Sequence, residues 1–386
     1  MTAIYDPFSP NVLANPATSY HHLLEEEPVY WCQDFDPKFY ILSRYQDVES
    51  ALQDIETFSS EFGQGPKYSM PAGMLSDPPQ HTFFRRLVQK AFTPQSVELL
   101  APQIENLASN LLEEIDDPTS WDLHDDYAFP LPVIVIANIL GVPEQDLQLI
   151  KKWSDASVEA MGAEDPTSYQ ETLQQMAQYL LKQISERRLN SEKEPADLIS
   201  KLVAAKVEDK GLTDEEILGV VNQLLVGGNE TTTSLITNAV WRMLEKPKLW
   251  QSLVDNPALV DRAVEESLRF DPPVLGLFRT TTRDVELHGK IIPENAKVLL
   301  HYAAGNRDPR AFNDPDSFSL DERKGRHLAF GLGVHFCLGA PLARLEARTA
   351  LQALVHHFPN LAFVNPGERI KPFFLWGRKT LPVQIT

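Results

Sequence analysis

The 386-residue sequence predicts a mainly α chain with small β-sheets. Three observations carry that reading. Apolar residues recur at helical spacing over long stretches: Thr93 to Glu114, Tyr127 to Leu140, Lys151 to Arg187 and Asp214 to about Leu244. Strand-like runs are few and short: Tyr30-Trp31, Phe39 to Leu42, Val285 to His288 and Lys297 to His301. Hydrophobic residues make up 43 %, enough for a substantial core, and two cysteines, Cys32 and Cys337, give no disulfide framework.

Composition excludes some functions. A net charge of −19 argues against nucleic acid and anionic membrane as partners. No segment approaches the roughly 20 apolar residues needed to cross a bilayer, and Met1 to Asn15 carries neither a basic leader nor an apolar span. The expectation is a soluble, cytoplasmic protein in a reducing compartment, with Cys32 structural.

In chain order, Asn11 to Glu26 reads as a short helix ahead of Pro28, followed by the first two strands. A helix then carries Ala51 and Leu52 and closes at Phe58-Ser59-Ser60. Glu61 to Ser76 mixes Gly, Pro and polar residues with Tyr68, Met70 and Met74, and is expected to be a mobile loop. Asp77-Pro78-Pro79 opens a helix to about Phe92, on which His81 and Arg85, four apart, share a face. Gly141-Val142-Pro143 ends the Tyr127 helix. Ala163 to Pro166 breaks the next pattern, and Asn190 to Ala196 is a polar loop.

The longest helix has a poor centre. Gly227-Gly228-Asn229-Glu230-Thr231-Thr232-Thr233 interrupts an apolar run, at on the order of 1 kcal/mol per glycine. Packing does not ask for this. Small residues leave room for a ligand, and a hydroxyl can compete for the helix's own carbonyls. Glu266 and Arg269 lie three apart on the helix Leu259 to Phe270, which Asp271-Pro272-Pro273 stops.

Near the C-terminal end, Phe330-Gly331-Leu332-Gly333-Val334-His335-Phe336-Cys337-Leu338-Gly339 places a cysteine in a glycine-punctuated loop. A helix starts just after it, with Pro341 in the first turn. The glycines permit angles and close approaches that a Cβ would block. A sulfur beside a helix N-terminus is favoured as thiolate, and a lone thiolate on a rigid loop is suited to be an axial ligand of haem iron. The glycine pair is a poor dinucleotide loop, since Phe336 stands where a third glycine belongs.

This segment resembles the haem-binding signature of the cytochrome P-450 family. Four other segments resemble that family in the right order: Asp77-Pro78-Pro79-Gln80-His81 with Arg85, Gly227-Gly228-Asn229-Glu230-Thr231-Thr232, Glu266 with Arg269, and Asn306-Arg307-Asp308-Pro309. The resemblance implies a single large domain, residues 1–386, with haem b (iron protoporphyrin IX) between the long central helix and the Cys337 loop. By it Cys337 is the metal ligand, and His81, Arg85, Arg279 and His335 hold the haem propionates, with Arg283 the competitor of Arg279. Glu230 and Thr231 become the catalytic proton-delivery pair. Glu266 and Arg269 become a buried structural pair. Its usual third arginine is out of register, since Glu322 stands where it belongs and Arg323 one later.

The implied activity is insertion of one oxygen atom of dioxygen into a C–H or C=C bond of an apolar molecule, such as a terpenoid, fatty acid or polyketide. Electrons would come from a ferredoxin or flavodoxin with its NAD(P)H-dependent reductase. A docking patch is expected at Arg86, Lys90, Arg344 and Arg348. Substrate contacts are expected from Gln64 to Met74, Trp153 to Tyr179, Val274 to Phe278 and Phe373 to Trp376. The alternatives are a haem-thiolate peroxygenase or isomerase, against which Glu230-Thr231 argues, and a non-catalytic haem gas sensor.

Overall fold

The long helix Asp214–Glu245 forms in one piece despite its two glycines. Thr213 accepts from the Glu216 amide at 3.2 Å while the Glu216 carboxylate accepts from the Thr213 amide at 2.8 Å, which closes its first turn. Acids at 214–216 complement the helix dipole. Packing then holds the centre, because both flanks of the glycine pair are buried among neighbouring helices. This central helix packs against Pro130–Leu140, Leu147–Gly162, Gln170–Leu189, Val260–Phe270 and Ala340–His357. The computed structural model describes residues 5–70, 73–163, 165–190, 197–207, 210–322 and 325–385.

The strands form a small sheet at one side. Strands β1 (Val29–Cys32), β2 (Phe39–Leu42), β3 (Phe58–Ser59), β4 (Leu277–Thr281) and β5 (Lys297–Leu300) lie in the order β1-β2-β5-β4-β3. Only β2–β5 is parallel, with Lys297 opposite Phe39. A second sheet joins Leu361–Phe363, Pro382–Ile385 and Trp121–Asp122. The fold is mainly α with small β-sheets, as expected.

Boundaries differ where proline or pairing intervenes. Pro16 divides the first helix into Pro10–Ala14, a 3-10 turn Pro16–Ser19 and Tyr20–Glu25. Phe58–Ser59 does not close a helix. The helix stops at Gln53, and the pair becomes an edge strand against Thr280–Thr281. The break near residue 163 is a 3-10 turn, Pro166–Tyr169. The expected loop Asn190 to Ala196 lies outside the described residues beyond Asn190. Gly141 ends Pro130–Leu140 at φ +82°, where a Cβ would lie 2.2 Å from the Asp197 carboxylate.

Candidate active site

The central helix and the Cys337 loop face each other across a cavity of about 320 Å³. Gly227, Gly228, Thr231 and Thr232 form one wall, and Gly331, His335, Cys337, Leu338 and Gly339 the other. The rest is mostly aliphatic and aromatic: Leu52, Phe92, Ile136, Leu224, Leu235, Val274 and Leu277. The two central glycines are needed for different reasons. A Cβ on Gly228 would press on Ile136 at 3.2 Å, whereas one on Gly227 would meet nothing within 4 Å and would project into open space. Gly227 therefore keeps the cavity wide, and Gly228 lets two helices approach.

In the cysteine loop, Gly331 (φ +65°) and Gly333 (φ +70°) adopt left-handed angles, and a Cβ on Gly333 would sit 2.9 Å from the Leu52 carbonyl. Gly339 departs from expectation. Its φ is −80° and no neighbouring protein atom would meet its Cβ, so it lines the cavity without strain. The helix Ala340–His357 starts immediately after it, with Pro341 at its first turn. Burial pushes the Cys337 thiol up. The Gly339 and Ala340 amides and the Arg85 charge pull it the other way without prevailing. The helix N-terminus thus softens a cost rather than producing a free thiolate, and a bound metal would complete the deprotonation.

Arg85, Arg279 and His335 line the cavity's edge, and His81 packs on His335 behind them. His81 and His335 meet edge to face with ring centroids 4.5 Å apart. Both His81 ring nitrogens and His335 Nε2 are buried without a hydrogen-bond partner among the described residues. His335 Nε2 stands 3.6 Å from Asp77, whose carboxylate already accepts from the Ser59 hydroxyl (2.5 Å) and the Ser60 amide (3.0 Å). Burial, His335 and Arg85 push His81 down to about 4, so it is neutral at pH 7. Among the described residues Arg279 donates only to the carbonyl of Phe278. Arg283 instead points outward to Thr57 and Asp54. Orphaned donors facing a sulfur-floored apolar cavity fit a flat ligand that brings two carboxylates of its own, as haem does.

Glu230 and Thr231 are neighbours in sequence but face different spaces. Thr231 lines the main cavity, and its hydroxyl donates to the Gly227 carbonyl at 2.8 Å. Glu230 is buried on the opposite flank, at the bottom of a second, solvent-open cleft of about 160 Å³ lined by His124, Lys151, Asp155 and Glu159. It accepts a long hydrogen bond from the Ser234 hydroxyl, 3.4 Å. Burial pushes its carboxyl up to about 7, with His124 and Lys151 opposing and Asp155 adding to the rise.

Some features were not expected. Glu346 lies 1 % exposed on the cavity floor, with neither carboxyl oxygen hydrogen-bonded among the described residues. Burial pushes it well above the ordinary carboxylate range, against the pull of the nearby Thr232 hydroxyl. An acid on the helix face of Leu342 and Leu345 was the available signal. Two expected substrate segments do not line the cavity. Trp153 packs against Tyr179 with ring centroids 5.0 Å apart. Phe373 and Phe374 join Phe39 and Phe278 in an aromatic cluster against the small sheet, and Trp376 packs on Trp241. Ile136, Leu224 and Gln223 take their place.

Behind the cysteine loop, Arg269 is 2 % exposed and binds Glu266 through two bonds of 2.8 Å. It also donates to the carbonyls of Asn306, Pro315 and Ser317. Glu266 accepts the Ser319 amide. Among the described residues the pair is therefore completed by backbone; Arg323 lies outside them.

The family profile described as Cytochrome P450 matches residues 136–382. A putative cytochrome P450 named YjiB, from Bacillus subtilis (strain 168), is 37 % identical over 96 % of this chain and 94 % of its own length. The erythromycin C-12 hydroxylase of Saccharopolyspora erythraea is 37 % identical over 93 % of this chain and 91 % of its own. The solved structure of cytochrome P450 CYP109Q5 from Chondromyces apiculatus superposes with a TM-score of 0.88 at 36 % identity, covering 99 % of this chain and 98 % of that one. The fold and these relatives define an oxidoreductase of a haem-dependent family. The chain belongs to the cytochrome P450 family, as a P450 monooxygenase of the bacterial type. Among the described residues no helix is long and apolar enough to cross a membrane.

Proposed function

We propose that this protein inserts one oxygen atom of dioxygen into a C–H or C=C bond of an apolar, polyketide-, terpenoid- or fatty-acid-sized molecule. For a C–H bond, dioxygen, two electrons and two protons yield the alcohol and one water. The observation that carries the reading is the division of labour on the central helix, where Thr231 faces the cavity and the buried Glu230 faces a second, solvent-open cleft. Haem b, held by Cys337 with His81, Arg85, Arg279 and His335 at its propionates, would supply the electron-accepting and oxygen-activating chemistry.

The protein's own groups do the rest. Leu224, Leu235, Ile136, Val274 and Leu277 bind an apolar substrate and keep bulk water out. Glu230, neutral below about 7, takes up protons from the His124–Asp155 cleft. Thr231 presents Oγ1 on the cavity side, and breaking its hydrogen bond to the Gly227 carbonyl frees its proton for delivery there.

Electrons come from a ferredoxin or flavodoxin with its NAD(P)H-dependent reductase. The docking patch needs revision. Arg344 is bound to Glu265 at 2.5 and 3.1 Å, and Arg348 lies 3.9 Å from Asp261. Arg86 and Lys90 have no ion-pair partner among the described residues and remain the better contacts.

The test is turnover of an apolar ligand library with a surrogate ferredoxin and its reductase, measuring oxygenated product against NADPH consumed. Thr231→Ala is expected to cut product per NADPH by about a hundredfold, at the lower edge of what a positioned proton donor contributes, with the lost electrons recovered as peroxide. In the parent enzyme the coupled rate falls as pH rises through about 7, since the neutral Glu230 is lost there; Glu230→Gln flattens that profile. Full coupling in both variants would remove the proton assignment.

A further inference from the structure

Lys297 is fully buried at the start of β5, in a strand that otherwise continues Val298-Leu299-Leu300. A lysine there is costly unless its head group is paired. Its Nζ donates to the carbonyls of Phe62 (2.8 Å) and Gly63 (2.9 Å) and lies 5.0 Å from the centre of the Tyr68 ring. These partners belong to the Glu61–Met70 segment, which has no helix or strand of its own.

That segment is wound around the ammonium. Gly63 donates to Ser60 (2.9 Å), Ser69 donates to Phe62 (3.1 Å), and Gly63 takes φ +85° to make the turn. The Tyr68 hydroxyl donates to Asn295, two residues before Lys297, at 2.8 Å. The Phe278 amide on β4 donates to the Gln64 carbonyl at 2.9 Å, while Gln64 lines the active-site cavity. Phe62, Tyr68 and Met70 show apolar surface to solvent on the outside. The segment is thus a wall between solvent and cavity, and the loop expected to be mobile is tied at several points.

We propose that Lys297 is a positioning residue for the substrate entrance: its ammonium clasps residues 62–68 onto the sheet, fixes Gln64 in the cavity wall and sets how fast an apolar ligand passes. It rests on the monooxygenase reading only for what uses the entrance. Two carbonyls and an aromatic face are a cation's partners, and charge-assisted bonds hold more strongly than neutral ones. Burial and the neighbouring Arg279 push Lys297 down to about 8, so at neutral pH the charged form holds the loop. A methionine would fill the same stem without the clasp.

The experiment uses the haem-loaded protein and 4-phenylimidazole, whose binding to ferric haem is followed by stopped-flow absorbance. Lys297→Met is expected to raise its association and dissociation rates together by about tenfold, with the ratio changed little, as loss of one charge-assisted interaction at a gate would do. In parallel, amide hydrogen exchange at Ser69 and Phe278 accelerates while β1 and β2 are unchanged. Unaltered rates and exchange overturn the clasp. So does exchange that accelerates equally across the sheet, which marks general destabilisation. Should Lys297→Met fail to take up haem, Tyr68→Leu, at a half-exposed ring, carries the test: ligand release accelerates, and an unchanged release rate overturns the proposal. A reduced carbon-monoxide complex without the thiolate red shift would instead sink the haem reading, leaving the exchange result to judge the clasp.

Discussion

Cys337→Ser abolishes the red-shifted absorption of the reduced, carbon-monoxide-treated protein and, with it, turnover. The expectation follows from the site. Cys337 is the cysteine lining the cavity, set between Gly331–Gly333 and a helix N-terminus, and Cys32, the other cysteine, is buried elsewhere near Tyr30. Serine keeps the volume and the backbone, so the fold and the four donor side chains persist. A hydroxyl lacks the soft, electron-rich sulfur that pushes oxygen chemistry forward. Haem is therefore still taken up in part, held by His81, Arg85, Arg279 and His335, with the spectrum of an oxygen- or water-ligated iron. The measurement is the carbon-monoxide difference spectrum of the variant against the parent at equal haem. A retained red shift would place the ligand somewhere other than Cys337.

Arg269→Leu removes about 3–5 kcal/mol of stability, the usual cost of breaking a buried ion pair. Against the roughly 5–15 kcal/mol that holds a whole domain together, this is large. The loss extends beyond Glu266. The carbonyls of Asn306, Pro315 and Ser317 lose their donor together, and that stretch leads directly to the cysteine loop. Glu266 is left as a buried charge with the Ser319 amide as its described donor. Little haem-loaded protein is expected, and denaturant unfolding should show a lowered midpoint. Removing both partners, Glu266→Met with Arg269→Leu, should recover part of the loss because the buried carboxylate is removed together with the arginine. A single Arg269→Leu variant that matches the parent in haem content and midpoint would contradict this account.

What the sequence disclosed was local. The Cys337 loop, the interrupted central helix and the His81–Arg85 spacing are decided by residues within a few turns of one another, and they were readable as such. The structure adds where they point. One residue of helix separates Glu230 from Thr231, about 100° of rotation, which turns one toward His124 and Asp155 and the other toward Cys337. Adjacency in sequence hid that opposition. The tail was misjudged for the opposite reason. Phe373 and Phe374 look like pocket aromatics, but their partners Phe39 and Phe278 lie hundreds and tens of residues away on strands whose pairing no local pattern states. Lys297 opens an otherwise apolar strand and Glu346 sits on the buried face of its helix; both are ionisable residues in the interior, and three-dimensional packing supplies the reason.

The opposed faces of the central helix make it a partition wall. On the proposed function, protons would enter from the outside through Glu230, while the surface that would fit a particular guest is built from Leu224, Leu235 and Ile136 on the inside. Side chains on the inner face can then be exchanged to admit a new guest without rerouting the outer supply. A chain built this way can diversify what it oxidises by repapering one side of a single wall.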